Sequence, residues 1–490
     1  MIKKILISTF SSILISSNLS FNFSESKYIN NEIYFIYEEQ VDPSLYLFPI
    51  KYEIIDNSSY FDLFDNNKFV EILPVMGIRY ATKGYELFKE YSPSNLLWIT
   101  PGIEFSYIKP ISISFFDTGI SVQAWARFNK HSAYGFQSQT PDNNLTLLEF
   151  SPLNSFEFYT NSQIPDNGID FDEGEGAIAI NSPWLDVVFG KFRSNLGPFL
   201  GSNLSISKTS PGFPQIQLRT KSEKMNFTYV IGELYSNQFN EVNDSSIRRK
   251  RFIINHRIDI RIKRNFRIGF YEQVIVGDNL SLSYMIPVIP FWSAQHSLGD
   301  ADNLQMGFDI EYIKNKNRFY FSLIVDEWAP YDTFNSEHHN WFGGQFGYSR
   351  ILSKESFLKF EYTRIEPQVY THDILINEPF HYNYPIGFWA GGDTEEIFMK
   401  IIFNFINMKE LEIDFRHTVI GNPEYNIDAN FLEGENKIRS ALALKMIKKN
   451  KFDFGPIDFI LKIQHIRTKN IYDIEKFTDC QISLLYNINY

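Results

Sequence analysis

The sequence predicts an all-β fold, a transmembrane antiparallel β-barrel of about 18 strands of the outer-membrane type. Three observations predict it: a short basic and apolar N-terminus of the secretory kind, alternation of apolar and polar residues along much of the remaining chain, and a final strand that ends on an aromatic residue.

The chain begins Met1-Ile2-Lys3-Lys4, runs apolar from Ile5 to Ile15 with only hydroxyl residues interrupting, and turns polar at Ser16. A basic start, an apolar stretch too short to span a bilayer, and small residues for a peptidase make residues 1–20 a signal peptide, cleaved after Ser17 or after Ser20. No cysteine follows it, which argues against lipoprotein processing. Beyond it no apolar run reaches the ~20 residues of a membrane helix. The mature chain is therefore periplasmic, secreted or a barrel, and composition favours the barrel. Aromatic residues make up 17%, with 28 Tyr and 47 Phe, while mean hydropathy is negative. An apolar outer band, aromatic girdles and a polar interior need that mixture. The single cysteine, Cys480, excludes an intramolecular disulfide and reads as a small apolar strand residue. A net charge of −12, from 58 acidic against 46 basic residues, speaks against nucleic acid as a partner. The run Arg248-Arg249-Lys250-Arg251 reads as a turn or interface charge cluster.

Strands are legible by their period of two. At the C-terminus Tyr490, Ile488, Tyr486, Leu484 and Ile482 share one face, with Asn489, Asn487 and Gln481 between them. A terminal aromatic strand of this kind resembles the recognition signal of the barrel assembly machinery, which is therefore an expected partner together with outer-membrane lipid. Met306, Phe308, Ile310 and Tyr312 alternate with Gln305, Gly307, Asp309 and Glu311. Phe319, Phe321, Leu323 and Val325 stand against Tyr320, Ser322 and Asp326, and Leu411, Ile413 and Phe415 against Glu412, Asp414 and Arg416. Ile254, Ile258 and Ile260 stand against Asn255, Arg257, Asp259 and Arg261. A buried soluble strand does not carry such charge ladders, whereas a wet lumen accommodates them. The barrel is assigned to residues 68–490 as one domain and one monomer. Residues 21–67 show no clear period from Tyr28 to Asn67 and are expected at the periplasmic mouth, plug-like, or as an extra strand.

With the last strand ending on the periplasmic side, Asn407 to Lys409, Leu352 to Glu355 and Lys314 to Asn317 are tight periplasmic turns. They alternate with long outer segments at Val419 to Asn436, Glu366 to Glu395, Trp328 to Trp341 and Pro287 to Asp302.

Motifs of catalysis are missing: there is no G-x-S-x-G elbow, glycine-rich phosphate loop or zinc spacing. No enzyme, cofactor or metal is expected. His338-His339 reads as a solvated loop dipeptide. The acidic stretch Asp170-Phe171-Asp172-Glu173-Gly174-Glu175 offers oxygen ligands without the EF-hand order, and is read as ordinary loop charge.

One constellation stands out between Glu361 and Asp393: E-Y-T-R-I-E-P-Q-V-Y-T-H, then F-H-Y-N-Y-P-I-G, then G-G-D. Glu361, Tyr362, Thr363, Arg364, Pro367, Tyr370, Thr371 and His372, followed by His381, Tyr382, Pro385, Ile386, Gly387, Gly392 and Asp393, give the chain a resemblance to the Wzi-type capsule-assembly proteins of the outer membrane. His256-Arg257, Glu272, Asp302-Asn303, Val325-Asp326, and Gly197-Pro198 through Leu204-Ser205 to Phe213-Pro214 resemble family features as well. The resemblance covers the chain roughly from Lys68 onward. It implies a barrel of about 18 strands whose outer face holds exported polysaccharide at the cell surface as a lectin.

The same stretch suits a sugar site by its chemistry. Tyr370, Tyr382, Tyr384 and Trp389 offer flat rings with polar tips, and Glu361, Arg364, His372 and Asp393 offer directed hydrogen bonds. The candidate polysaccharide-binding residues are Glu361, Arg364, Tyr370, His372, His381, Tyr382, Trp389 and Asp393. The bland alternative makes Glu361 and Arg364 a lumenal ion pair and the aromatics a folding element. Other readings are a porin-like diffusion channel, since about 18 strands leave room for a pore, and, with less support, an outer-membrane hydrolase.

Overall fold

The computed structural model describes residues 25–41, 69–81, 96–111, 120–134 and 162–164, and residues 168–489 apart from 183, 243–244, 299–301, 327–340, 354, 383, 406–408, 424–428, 453–454, 470–473 and 487. The expected signal peptide, Tyr490 and His338-His339 lie outside the described residues.

Alternation of apolar and polar residues is realised as one antiparallel sheet. Its strands in chain order are β1 (Phe69–Ala81), β2 (Leu96–Ile111), β3 (Ile120–Tyr134), β4 (Gly168–Asn181), β5 (Leu185–Phe192), β6 (Phe213–Thr220), β7 (Met225–Val242), β8 (Ser245–Lys263) and β9 (Phe266–Gly277). They continue as β10 (Asn303–Lys314), β11 (Asn317–Asp326), β12 (Trp341–Ser353), β13 (Ser356–Ile365), β14 (Thr394–Phe405), β15 (Lys409–Ile420), β16 (Lys437–Phe452), β17 (Gly455–Lys469) and β18 (Ile474–Tyr486). Short pieces at Ser162–Ile164 and Ile488–Asn489 add to β4 and β1. Each strand pairs antiparallel with the next. β18 then pairs back onto β1, from Val75 opposite Leu485 to Ala81 opposite Asp479, so the eighteen strands form a ring. Closure leaves no sheet edge, which is what a membrane demands of a β-structure.

From β10 to β16 the connections alternate as expected, with short turns such as Asn315-Lys316 at one end and long loops at the other, whereas β7 and β8 are joined by only two residues at the long-loop end. The short-turn end is periplasmic by the usual rule for such barrels. Outward residues of the strands are exposed and apolar, for example Ile178, Phe189, Phe270, Phe319, Phe346 and Leu442.

Inside, the charge ladders are paired and dry rather than bathed in water. Arg257 meets Asp259 at 2.8 Å and Asp309 at 2.5 Å, Arg267 meets Glu311 at 3.1 Å and also Asp259, and Arg318 meets Glu311 at 2.7 Å. The zigzag crosses β8 to β11, and each of these residues is buried. Burial of that many ions is tolerable only because each finds opposite charge and hydrogen bonds. The acidic stretch at 170–175 is corrected in the same way: it lies in β4, not in a loop. Glu173 and Glu175 face inward onto Arg127 and Arg193, while Asp172 faces out beside Lys130. The basic run is likewise strand, near the outer end of β8, where Arg249 meets Asp278 and Lys250 meets Glu233.

The N-terminal region, which showed no period from Tyr28 on, contributes a helix, α1 (Glu25–Glu38). Ile29, Ile33 and Ile36 recur at helical spacing, and with Tyr28 and Phe35 they pack on the lumenal side chains Ile313, Ile351, Phe357 and Ile402. Glu32 enters the ion network, 2.5 Å from Arg318 and 2.9 Å from Lys359. Burial alone would raise its carboxyl, but Lys359 and Arg318 override that and hold it below the ordinary carboxylate range. Glu38 and Glu39 reach the turns at Arg264 and Asn315, so the helix sits inside the short-turn end of the lumen.

Candidate functional site

Two loops meet in the outer half of the lumen. The first, residues 193–212 between β5 and β6, turns inward. Its fold is built on Asn203, whose amide binds Asn195 and the Phe199 carbonyl while its oxygen accepts the Phe199 N–H at 3.0 Å. Gly197 has φ +138°, and a Cβ there would collide with the Asn203 side chain, so only glycine serves at this position. The loop's backbone N–H groups at Leu200 and Gly201 both donate to the Glu361 carboxylate at 2.8 Å. Tyr320 donates its hydroxyl to the same carboxylate.

The second loop, residues 366–393, leaves β13 and returns as β14. Its neck is closed by the Asp393 N–H to the Glu366 carbonyl at 3.1 Å. It interlocks with the inward loop through several bonds: Tyr370 hydroxyl to the Leu204 carbonyl at 2.6 Å, Trp389 N–H to Ser202 Oγ at 3.0 Å, and Ser207 N–H to the Ile386 carbonyl at 2.7 Å. An apolar cluster of Leu204, Ile324, Ile365, Val369, Tyr370, Phe388 and Trp389 fills the space between them. The loop is a cap seated on the inward loop.

The candidate residues are positioned as follows. Tyr370 is 1% exposed, and its N–H donates to Asp326 at 2.8 Å. Trp389 is buried; its indole N–H donates to Glu396 at 2.6 Å, and the Arg416 and Arg439 guanidinium groups lie 5.3 and 5.8 Å from its ring. Asp393 is 1% exposed and accepts the N–H groups of Asn422 and Leu432, tying the cap to loop 421–436. His372 is buried locally, accepting the Ile374 N–H. His381 and Tyr382 form a second group: Tyr235 donates its N–H to His381 Nδ1, Tyr235 stacks on Tyr382, and Arg248 lies 5.2 Å from the Tyr382 ring. Glu361 faces inward beneath the cap.

Arg364 stands apart. Being an odd number of residues from Glu361, it emerges on the opposite face of β13, where its guanidinium lies 3.9 Å from the Phe431 ring centroid. A lumenal Glu361–Arg364 ion pair is therefore excluded, and Lys359 and Tyr320 are the side chains beside Glu361. Tyr370, Tyr382 and Asp393 have left-handed backbones, at φ +70°, +56° and +48°. Each such non-glycine residue costs on the order of 1 kcal/mol and persists only where its surroundings enforce it.

What the sequence reading missed is the inward loop as the cap's seat. Its signal was present as the hydroxyl-rich run from Ser202 to Ser210, following Gly197 and Gly201 and too polar for a strand facing lipid.

Two titratable groups in the cap oppose each other. Burial pushes the Glu378 carboxyl up to about 7 against the lowering influence of Arg251. Burial, with Lys191 and Arg251 nearby, pushes His381 well below its usual 6.5. A raised carboxyl gives stability that is present at low pH and lost as pH rises from 4.5 to about 7. A depressed histidine gives stability that is lost as pH falls below 6.5. The two slopes oppose each other as pH falls below 6.5, so hydrogen exchange of the cap amides, corrected for intrinsic rates, is expected to change less with pH than either group alone would make it. Glu378→Gln should uncover the histidine, making protection fall on acidification by up to about tenfold per pH unit. A flat profile in that variant would show that His381 is not buried neutral.

Comparison with known families resolves the lineage. Residues 122–452, which run from within β3 to the end of β16 and include both loops, match the family model of capsule assembly protein Wzi. The chain belongs to the Wzi capsule-assembly family. Among solved structures it is similar to Wzi of Escherichia coli, described as an outer-membrane protein involved in group 1 capsule assembly and a carbohydrate-binding β-barrel. That likeness has a TM-score of 0.49 at 12% identity, over 87% of this chain and 86% of that one. Acinetobacter baumannii OccAB4 has a TM-score of 0.48 at 10% identity, over 86% and 98%. Pseudomonas aeruginosa OprD has a TM-score of 0.48 at 10% identity, over 87% and 95%. No curated protein matches the chain. Within the Wzi match fall the segments picked out by resemblance: the Glu361 to Asp393 constellation is the end of β13 plus the cap, and the Gly197 to Pro214 segment is the inward loop with the start of β6.

Proposed function

We propose that this barrel is a non-catalytic outer-membrane protein that holds capsular polysaccharide at the cell surface, with the cap as the polymer-facing element. The observation that carries this reading is the interlock of cap, inward loop and α1 within one lumen, together with membership of a capsule-assembly family. A diffusion channel has no use for a lumen filled by two loops and a helix. The strained backbones of Tyr370, Tyr382 and Asp393 support a surface built to one fixed shape, because a rigid cap offers sugars pre-set hydrogen-bonding groups. On this reading Glu361, Tyr370, His381, Trp389 and Asp393 shape the cap from beneath. Arg364, His372 and Tyr382 lie nearer its margin. The polymer meets exposed groups around them, among them Asp373, Asn422, Asn430 and Glu433. The barrel acts as a monomer, delivered by the barrel assembly machinery and sealed by outer-membrane lipid.

The test separates contact from shape. Asp373→Ala with Asn430→Ala and Glu433→Ala changes only exposed side chains, and it is expected to leave barrel yield and heat-modifiable migration unchanged while cells shed polymer. A true anchor is worth about 1–4 kcal/mol, enough to weaken the binding constant by about fivefold to on the order of a thousandfold. Tyr370→Ala and Asp393→Ala should release polymer as well, with faster proteolysis of residues 366–393. Polymer retained at wild-type level in all three variants would remove the cap from the site. A steady pore of porin size in the unmodified protein would overturn attachment as the primary role.

A further inference from the structure

The long segment after β9, expected as an outer loop from Pro287 to Asp302, does not stand above the barrel. Outward side chains on β6 to β10 include Leu218, Tyr229, Ile231, Phe252, Ile254, Val274, Val276, Leu304 and Met306, and these form one apolar cluster with Leu280, Tyr284, Ile289, Phe291 and Ala294. Strand alternation requires that face to be the outer wall, because Gln273, Asn255 and Gln305 on the same strands point into the lumen. Residues 278–298, ending in helix α2 (Phe291–Leu298), are therefore folded down as a strap against the outside of the barrel.

How far down it reaches is fixed by one polar anchor. His256 and Glu272, both outward, are 2.9 Å apart; Glu272 accepts the Phe291 N–H at 2.8 Å, and the Phe291 ring stacks on His256 at 4.0 Å. About 9–11 residues of a tilted strand cross the hydrocarbon layer. β9 runs from Phe266 to Gly277, so Glu272 lies near its middle and the start of α2 reaches the depth of acyl chains.

The strap's own chemistry fits that depth. Its exposed side includes Leu282 at 76%, Met285, Ile286, Val288 at 82% and Trp292. In water that is an uncovered apolar patch, and Phe270 and Ile258, two residues along the strands from Glu272 and His256 on the same outer face, are exposed and apolar as well. Part of its backbone is satisfied locally: Tyr284, Met285 and Ile289 donate within turns, Phe291 donates to Glu272, and Pro287 and Pro290 have no N–H.

We propose that residues 280–292 are embedded in the outer leaflet as a lipid-contacting strap, with acyl chains of the outer-membrane lipid as its occupant, and that the strap shields the His256–Glu272 pair from those chains. An unpaired polar group at this depth costs several kcal/mol.

The experiment uses the full-length protein in lipid nanodiscs holding one barrel each. With Cys480→Ala as background, a nitroxide is attached at Val288→Cys and, as references, at Phe270→Cys on the lipid-facing wall and Glu435→Cys in an outer loop. Relaxation by molecular oxygen and by a water-soluble nickel chelate gives depth. The proposal expects the oxygen-to-nickel ratio at 288 to lie close to that at 270 and several-fold above that at 435. A ratio at 288 equal to that at 435 places the strap in water and overturns the proposal. Exclusion of both reagents also overturns it, since the surface would then be covered by protein. Spectra of a label at Met285→Cys keep the test open if the 288 variant fails to assemble.

Discussion

Glu361→Ala is expected to open the lumen without dismantling the barrel. The carboxylate accepts three buried donors, from Leu200, Gly201 and Tyr320, and lies 3.5 Å from Lys359. Removing it leaves two backbone N–H groups and a hydroxyl without an acceptor, each costing about 1–3 kcal/mol, and withdraws a counter-charge from Lys359. None of the bonds that close the sheet depends on it. Release of the inward loop, about 3–5 kcal/mol less favourable in place, should therefore appear as discrete conductance steps in planar bilayers that the unmodified protein does not show. Glu361→Gln keeps one acceptor oxygen and should fall between the two. Identical silence from all three proteins would mean that the inward loop is held by its other contacts, chiefly Gln345 to the Ser202 carbonyl and Ser205 to Gln273.

Arg257→Ala is expected to act on the barrel itself. Arg257 binds Asp259 through two nitrogens at 2.8 Å and Asp309 at 2.5 Å, all three buried. Without it Asp309 faces the lumen with only the Ser322 hydroxyl donating to it among the bonds described here, while Asp259 retains Arg267. Stranding a buried carboxylate costs about 3–5 kcal/mol, so the urea midpoint and the heat-modifiable fraction should both fall. Arg257→Lys restores the charge without the paired nitrogens and should recover only part of the loss. Arg257→Met combined with Asp309→Asn removes both unmatched ions and should recover most of it. If the double variant is no better than Arg257→Ala, packing of the guanidinium stem rather than charge balance explains the loss.

The eight candidates show how a motif can be legible while its role is not. The stretch from Glu361 to Asp393 was conspicuous for its aromatic and hydrogen-bonding residues, and the structure gathers most of them into one cap. Nothing local distinguished a tyrosine that faces a sugar from one that bonds a carbonyl 166 residues away, as Tyr370 does with Leu204. Arg364 is the reverse case. Its outward placement follows from the odd spacing to Glu361 once β13 is taken to extend that far, and the ion-pair alternative left that spacing out of account. Helix α1 escaped because Tyr34, Phe35, Ile36 and Tyr37 form a continuous aromatic and β-branched run that hides the spacing of Ile29, Ile33 and Ile36.

By itself the sequence determined the antiparallel barrel, a strand number of about 18, the faces of the clearest strands and, from about residue 303 onward, the long and short ends. Those are consequences of a two-residue period and of connection length, both of which act between near neighbours in the chain. Tertiary structure alone decided what fills the barrel and what clothes it. Glu32 meets Arg318 across 286 residues, and Glu361 meets Leu200 across 161. The segment after β9 lies down on the outer wall because its apolar side chains find Val274, Val276 and Ile254 there. Such partnerships depend on which side chains the closed ring brings within a few ångströms, and the burial energy that selects them exists only once the ring has formed.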